Sequence, residues 1–193
     1  MSRSRILVAG LFGGLAMFIW ASIAHMILPL GRVGISEIKS NEPTVLAALH
    51  ASLGNNAGFY FFPSIGDMAN QAEAMKNYDA KLVTSPSGIL IYHPPGAKSL
   101  TPGQLLTEFL VELLEALLAV WLLGKTSITG FSARVAFVAV TGILASLPTN
   151  VSYWNWYGFP ASYTITYMAT EIIGFTLAGL AAAFVLSRPH RLT

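Results

Sequence analysis

TPGQLLTEFLVELLEALLAVWLLG, residues 101–124, combines two properties that conflict in a single helix. Its apolar length suits a bilayer crossing, since about 20 residues suffice at roughly 1.5 Å each. It also carries three carboxylates, Glu108, Glu112 and Glu115, spaced i, i+4, i+7, which a helix gathers onto one edge. Gln104 extends that edge by one turn, and the remaining surface is Leu, Val, Ala, Phe and Trp. Lipid rejects such an edge, so it must turn toward protein, water or a cation. Thr101 ahead of Pro102 is a capping hydroxyl before a first-turn proline, and Gly124 suits the C-terminal end.

The rest of the chain agrees with a membrane setting. It is 54% hydrophobic and 10% charged, where soluble domains carry about 25% charged residues. Mean hydropathy is +0.60. With no cysteine, the chain has no disulfide, thiolate metal site or cysteine nucleophile. A net charge of +2, scattered along the chain, argues against nucleic acid as a partner.

Four spans are expected, at about 6–30, 102–124, 132–148 and 161–186. The chain is thus read as an all-α membrane protein. Residues 1–193 form one membrane domain, a four-transmembrane-helix bundle with a small extracytoplasmic α+β insertion at 31–101 between the first two helices. The charges set the orientation. The segments 1–5, 125–134 and 187–193 hold Arg3, Arg5, Lys125, Arg134, Arg188 and Arg191 without an acid, whereas 31–101 mixes both signs. By the positive-inside rule both termini are cytoplasmic and 31–101 lies outside. The composition suits a multi-pass protein of a bacterial inner membrane. The opening MSRSR and apolar run have the layout of a signal peptide, but the run is span-length. Gly10 and Gly14 within it form a small-xxx-small pattern that favours close helix approach.

In the insertion, Asn41-Glu-Pro43 reads as a capped helix start, with Val45, Leu46, Leu49 and Leu53 on one side and an end near Gly54. Gly58-FYFF-Pro63 and Gly88-ILIYH-Pro94 read as two strands of one sheet, packed over the outer mouth of the bundle. A helix over 67–82 lies between them, with Met68, Met75 and Leu82 marking its apolar side. The short turn after Gly124 predicts that the second and third spans are neighbours. Pro148-Thr-Asn150 ends the third span, and SYWNWYGF, from Ser152, forms an aromatic belt.

The acids then meet by depth. From the outer helix ends, Glu108 lies about 9 Å in, and Glu112 and Glu171 about 15 Å in. His25 is near the outer end of the first span, and Tyr163, Thr166, Tyr167, Thr170 and Glu171 form a polar stripe on the fourth. An ionised acid at mid-membrane costs about 2.5–3.5 kcal/mol on the mildest scale. No Lys or Arg lies deep in a span to offset it. The carboxylates therefore share protons, sit in a watered pocket, or hold a cation.

Three function classes follow. In the first, a buried carboxylate pocket of Glu108, Glu112, Glu115 and Glu171, with Tyr163 and Tyr167, binds a cation or polar small molecule. Its metal form uses His25, Glu108, Glu112 and Glu171 to hold a divalent ion as cofactor, which would make a membrane-embedded metalloenzyme. The second is a proton-linked transporter. The third is an accessory subunit whose neutral acids hydrogen-bond to Tyr163, Tyr167, Thr166, Thr170 and Gln104, or pair with a helix of a partner or a second copy. No serine or threonine stands in a nucleophile motif, and there is no phosphate loop. His50 and His93 read as surface or packing residues of the insertion, and His190 as tail.

Overall fold

The computed structural model describes residues 2–188. His190 and Arg191, read above as parts of a cytoplasmic tail, lie outside them. The chain divides into two compact units, one holding the chain up to Ile35 and again from Leu100, the other Ser36–Ser99.

The first unit is helical. Helix α1 (Arg3–Ser22) passes into a π-helical turn (Ile23–Ile27) and a short 3-10 turn (Pro29–Arg32). The second unit contributes α2 (Glu42–Leu53), β1 (Gly58–Phe62), α3 (Gln71–Thr84) and β2 (Gly88–Tyr92). The chain then returns to the first unit with α4 (Pro102–Gly124), α5 (Phe131–Tyr157) and α6 (Ala161–Ser187).

Three helical stretches are long and apolar enough to cross a membrane: Arg3–Ile27, Phe131–Tyr157 and Ala161–Ser187. Helix α4 has the length, at 23 residues, but every 18-residue window of it contains Glu108, Glu112 and Glu115. The three apolar stretches mark the chain as a membrane protein. A fourth crossing belongs to interpretation.

Helix α1 packs on both α4 and α6, and α6 packs on α5. The expectation that the 102–124 helix would lie mainly beside the next one is therefore corrected, since α4 and α5 touch only slightly. The cause is glycine placement. A methyl group at Gly14 would lie 2.6 Å from the Leu113 Cα, and one at Gly10 would lie 3.0 Å from the Leu117 Cα. No larger residue fits there, so the small pattern of α1 selects α4 as its neighbour. The loop 125–130 leaves α5 free to pack elsewhere. Gly179 does the same for α6, where a methyl would lie 3.1 Å from the Val135 carbonyl oxygen of α5.

Helix α5 also overturns an expected boundary. It continues through Pro148 to Tyr157, rather than ending at 148. Proline lacks the amide for one helical hydrogen bond, a defect that membrane helices tolerate. A buried stripe at every fourth position holds the helix against α6: Arg134, Val138, Gly142, Ser146 and Asn150. The aromatic segment is thus the last two turns of α5, closed by Gly158 at φ 71°.

The core is built from small residues. Ala9, Ala116, Ala119, Ala178 and Ala182 bring α1, α4 and α6 close around Met17, Val120, Leu123 and Phe175. It occupies the half of the unit nearer the Arg5 end. There the Arg5 guanidinium donates to the carbonyls of Val185, Leu186 and Arg188 at 3.2, 2.8 and 2.6 Å, capping the end of α6. Arg134, also buried, donates to the Ile128 carbonyl and the Ser187 hydroxyl.

In the second unit β1 and β2 pair antiparallel, Gly58 opposite Tyr92 and Phe62 opposite Gly88, as the Gly-to-Pro runs predict. Helix α2 starts and stops where expected, but Asn41 enters at φ 57° and makes no side-chain cap. Helix α3 buries Ala74. Met68, Met75 and Leu82, expected on its apolar side, are exposed, because that helix is mostly polar and has little facing it. Tyr92 is buried and donates to the Gly54 carbonyl at 2.8 Å, with His50 Nδ1 3.4 Å from its hydroxyl. His93 is exposed.

Candidate functional site

The half of the helical unit opposite the Arg5 end opens between α1, α4 and α6. Helix α4 begins with a full capping box. The Thr101 hydroxyl accepts from the Gln104 amide, and the Gln104 side-chain oxygen accepts from the Thr101 amide at 2.8 Å. This fixes where α4 starts, and with it the height of every acid on its edge. Gln104 thus serves in the cap and, with Glu108, also lines the cavity that adjoins this edge.

From there Glu108, Glu112 and Glu115 face a cavity of about 200 Å³. Helix α6 adds Glu171, Tyr167, Thr170 and Gly174, while α1 adds Met17, Trp20 and Ala21, with His25 from the π-helical turn. All four acids that the sequence places at overlapping depths thus line one space, together with Tyr167 and His25. Tyr163 does not line it; its ring stacks behind Tyr167 at 5.7 Å. Thr166 stays outside as well, accepting a hydrogen bond from the Thr170 hydroxyl through its carbonyl.

The walls are fixed differently from the acids. The Trp20 indole donates to the Thr170 carbonyl at 2.8 Å, which locks its ring across the α1–α6 seam. Gly174 lies beside it, and a methyl there would meet the Trp20 ring at an ordinary contact distance of 3.5 Å. The π-helical turn offsets His25 from the α1 register. Such one-residue insertions re-aim side chains and recur at functional sites. The His25 ring lies 6.3 Å from that of Tyr167. Tyr167 in turn ends a file of rings reaching back through Tyr163 and Phe159 to Tyr153 on α5. Sequence reading saw the two ends of this file as a belt and a stripe, without the turn at 158–160 that joins them.

Of the four carboxylates, Glu171 has a side-chain partner. Asn150 Nδ2 lies 3.4 Å from its Oε2 and also donates to the Ser146 carbonyl at 2.8 Å. Among the described residues, no side-chain hydrogen bond joins Glu108, Glu112 or Glu115 to Tyr163, Tyr167, Thr166, Thr170 or Gln104, so the hydrogen-bonded lock expected of a purely structural stripe is absent. Asn150 was missed because the third span was ended at Pro148. Its signal was the four-residue stripe Gly142, Ser146, Asn150 continuing beyond that proline.

The geometry gives the metal reading no support. Among the described residues no group of three or more His, Asp or Glu side chains is arranged to hold a metal ion. His25, Glu108, Glu112 and Glu171 share a cavity without converging on a point. Acids one turn apart on a helix are offset by about 6 Å along its axis, and metal–oxygen bonds span roughly 2.0–2.6 Å.

A second cavity, of about 300 Å³, adjoins the first. Ala21, His25, Glu108 and Tyr167 border both, and Phe18, Met26 and Leu105 line the second. It lies between α1 and α4, beside Glu108. No family model, characterised protein or solved structure matches the chain. Fold and composition define a helical membrane protein, and the distinguishing feature of this one is an acid-lined interior cavity.

Proposed function

We propose that the chain is a four-span protein whose cavity binds a small organic cation, a primary amine or alkylammonium ion. The observation that carries this reading is the lining: four carboxylates from two helices share about 200 Å³ with the side chains of Trp20 and Tyr167. Acids without a resident cation favour a positive occupant, and aromatic faces add cation–π attraction to an alkylated nitrogen. The size is below the roughly 300–1,000 Å³ of pockets for drug-sized ligands, so the occupant is small. It is also well above the 10–15 Å³ or so that holds one water. The dispersed acids suit a molecule with several N–H donors better than a single ion that needs converging ligands.

In this reading α4 is the second span, lipid on one side and the cavity on its acid edge. The cationic ends of α1, α4, α5 and α6 face the cytoplasm. The bacterial inner membrane, which maintains such a charge asymmetry, is the setting we assign. The adjoining cavity admits the amine, and Glu108, shared by both cavities, meets it first.

The test is thermal unfolding of the detergent-purified full chain against ammonium, methylammonium, tetramethylammonium and putrescine, with magnesium and manganese alongside. A bound amine at 100 times its Kd stabilises by about 2.7 kcal/mol. Glu112→Gln and Glu171→Gln should each reduce that shift. No shift with any amine, or one that both variants keep in full, sinks the proposal. A shift with manganese alone, matched by metal content in the purified protein, would restore the metal reading.

A further inference from the structure

The opposite end of the α1–α4 seam carries a second recess that the acid cavity does not touch. It measures about 700 Å³ and its walls are Leu7, Leu117, Leu118 and Trp121, with Arg3 and Lys125 at its rim. Leu7, Leu118 and Trp121 are each about half exposed, at 54%, 51% and 50%. The Lys125 ammonium lies 5.1 Å over the Trp121 ring, which holds it at the edge of the recess. On α4 the lining runs from Leu117 to Lys125, about 12 Å of helix.

The other described cations of this end are directed elsewhere. Arg5 is bound to three carbonyls, Arg134 is buried against Ile128 and Ser187, and the Arg188 guanidinium lies 4.4 Å over Phe184. No Asp or Glu occurs within residues 1–36 or 116–170 to neutralise Arg3 or Lys125. An apolar trough ending in two cations without a carboxylate matches one occupant by shape and charge: an acyl chain along the leucines and a negative headgroup between the cations. The indole of Trp121 belongs at that interfacial level.

We infer that this groove is a binding site for an anionic phospholipid of the leaflet at the Arg5 end. The inference shares with the proposed function only the placement of the chain in a bilayer. Each rim cation favours an anionic over a zwitterionic headgroup by about 5-fold, and the pair by roughly 30-fold.

The experiment is native mass spectrometry of the full chain in mild detergent, titrated with phosphatidylglycerol and phosphatidylcholine of identical acyl chains. Phosphatidylglycerol should be retained preferentially. The double variant Arg3→Gln/Lys125→Gln should lose that preference, and Arg188→Gln should keep it. Leu7→Trp, which fills the trough and leaves both cations, should lower retention of either lipid. Equal retention of the two lipids overturns the inference, as does a preference that survives the double variant. Equally effective displacement by inorganic phosphate also overturns it, since the site would then recognise an anion rather than a lipid. Unchanged retention in Leu7→Trp does the same. A chain recovered soluble without detergent would instead refute the membrane placement, which separates the two failures.

Discussion

The two ends of the helical unit handle charge in opposite ways. At the Arg5 end the guanidiniums of Arg5 and Arg134 are bound to carbonyl and hydroxyl oxygens, while the Lys125 ammonium and the Arg188 guanidinium rest on aromatic rings. At the other end four carboxylates border a cavity, with Asn150 reaching one of them at 3.4 Å. Structural charge is typically satisfied by the protein itself, because a buried group without a partner costs about 1–3 kcal/mol or more. Charge left facing space is held for something else. On the proposed reading, this difference gives the bound cations to stability and the acids to the ligand.

The largest effect expected on that contrast comes from removing the acids together. The triple variant Glu108→Gln, Glu112→Gln, Glu115→Gln should abolish the amine-dependent thermal shift. It should also raise ligand-free stability, up to about 2.5–3.5 kcal/mol for each acid that is ionised in the membrane. Chemical unfolding in detergent measures the second change. A triple variant that is less stable than the parent would mean that the acids knit the helices after all, and the two ends would no longer differ.

Next in size is the seam that both ends share. Gly14→Leu places a side chain where a single methyl already comes within 2.6 Å of the Leu113 Cα. Overpacking of this kind costs about 1–3 kcal/mol, and more where backbone is in the way. Helix α4 should move off α1, so both the thermal midpoint and amine binding should fall together. Arg5→Ala should then cost about 1–3 kcal/mol by leaving carbonyls at the end of α6 unsatisfied. Amine affinity should stay within twofold of the parent, because the cavity lies at the far end. A loss of binding in Arg5→Ala that exceeds its loss of stability would show that the two ends are coupled.

The contrast was legible in the chain only in part. The i, i+4, i+7 acids on α4 and the glycines of α1 are local patterns, and both kept their meaning in three dimensions. The shared depth of Glu171 and His25 with them followed from helix geometry, since 1.5 Å per residue is fixed, but not that α1, α4 and α6 bring them to one cavity. Neighbour choice was not legible from loop length. A six-residue connection permits contact between α4 and α5, but Gly10, Gly14 and Gly179 set how closely each pair can approach. The end of the third span failed for a related reason. Pro148 breaks helices in water, whereas here Ser146 and Asn150 keep the stripe facing α6 and the helix continues. The π-helical turn that aims His25 has no sequence signature of this kind.

Asn150 carries the smallest effect and the sharpest discrimination. Its Nδ2 contact to Glu171 is long, and Asn150→Leu removes a donor while leaving the Ser146 carbonyl within the helical ladder. The stability cost should be about 1 kcal/mol or less. Glu171 would lose the tether that holds its carboxylate toward α5, so amine affinity should drop a fewfold, less than in Glu171→Gln. Titration calorimetry of both variants against methylammonium makes the comparison. If Asn150→Leu weakens binding as much as Glu171→Gln, the carboxylate works only when the protein holds it, as Arg5 and Arg134 are held at the other end. If Asn150→Leu leaves affinity unchanged, Glu171 acts as one of four interchangeable charges around the cavity. An intermediate loss places the acid end between those limits, three carboxylates given to the ligand and one shared between ligand and fold.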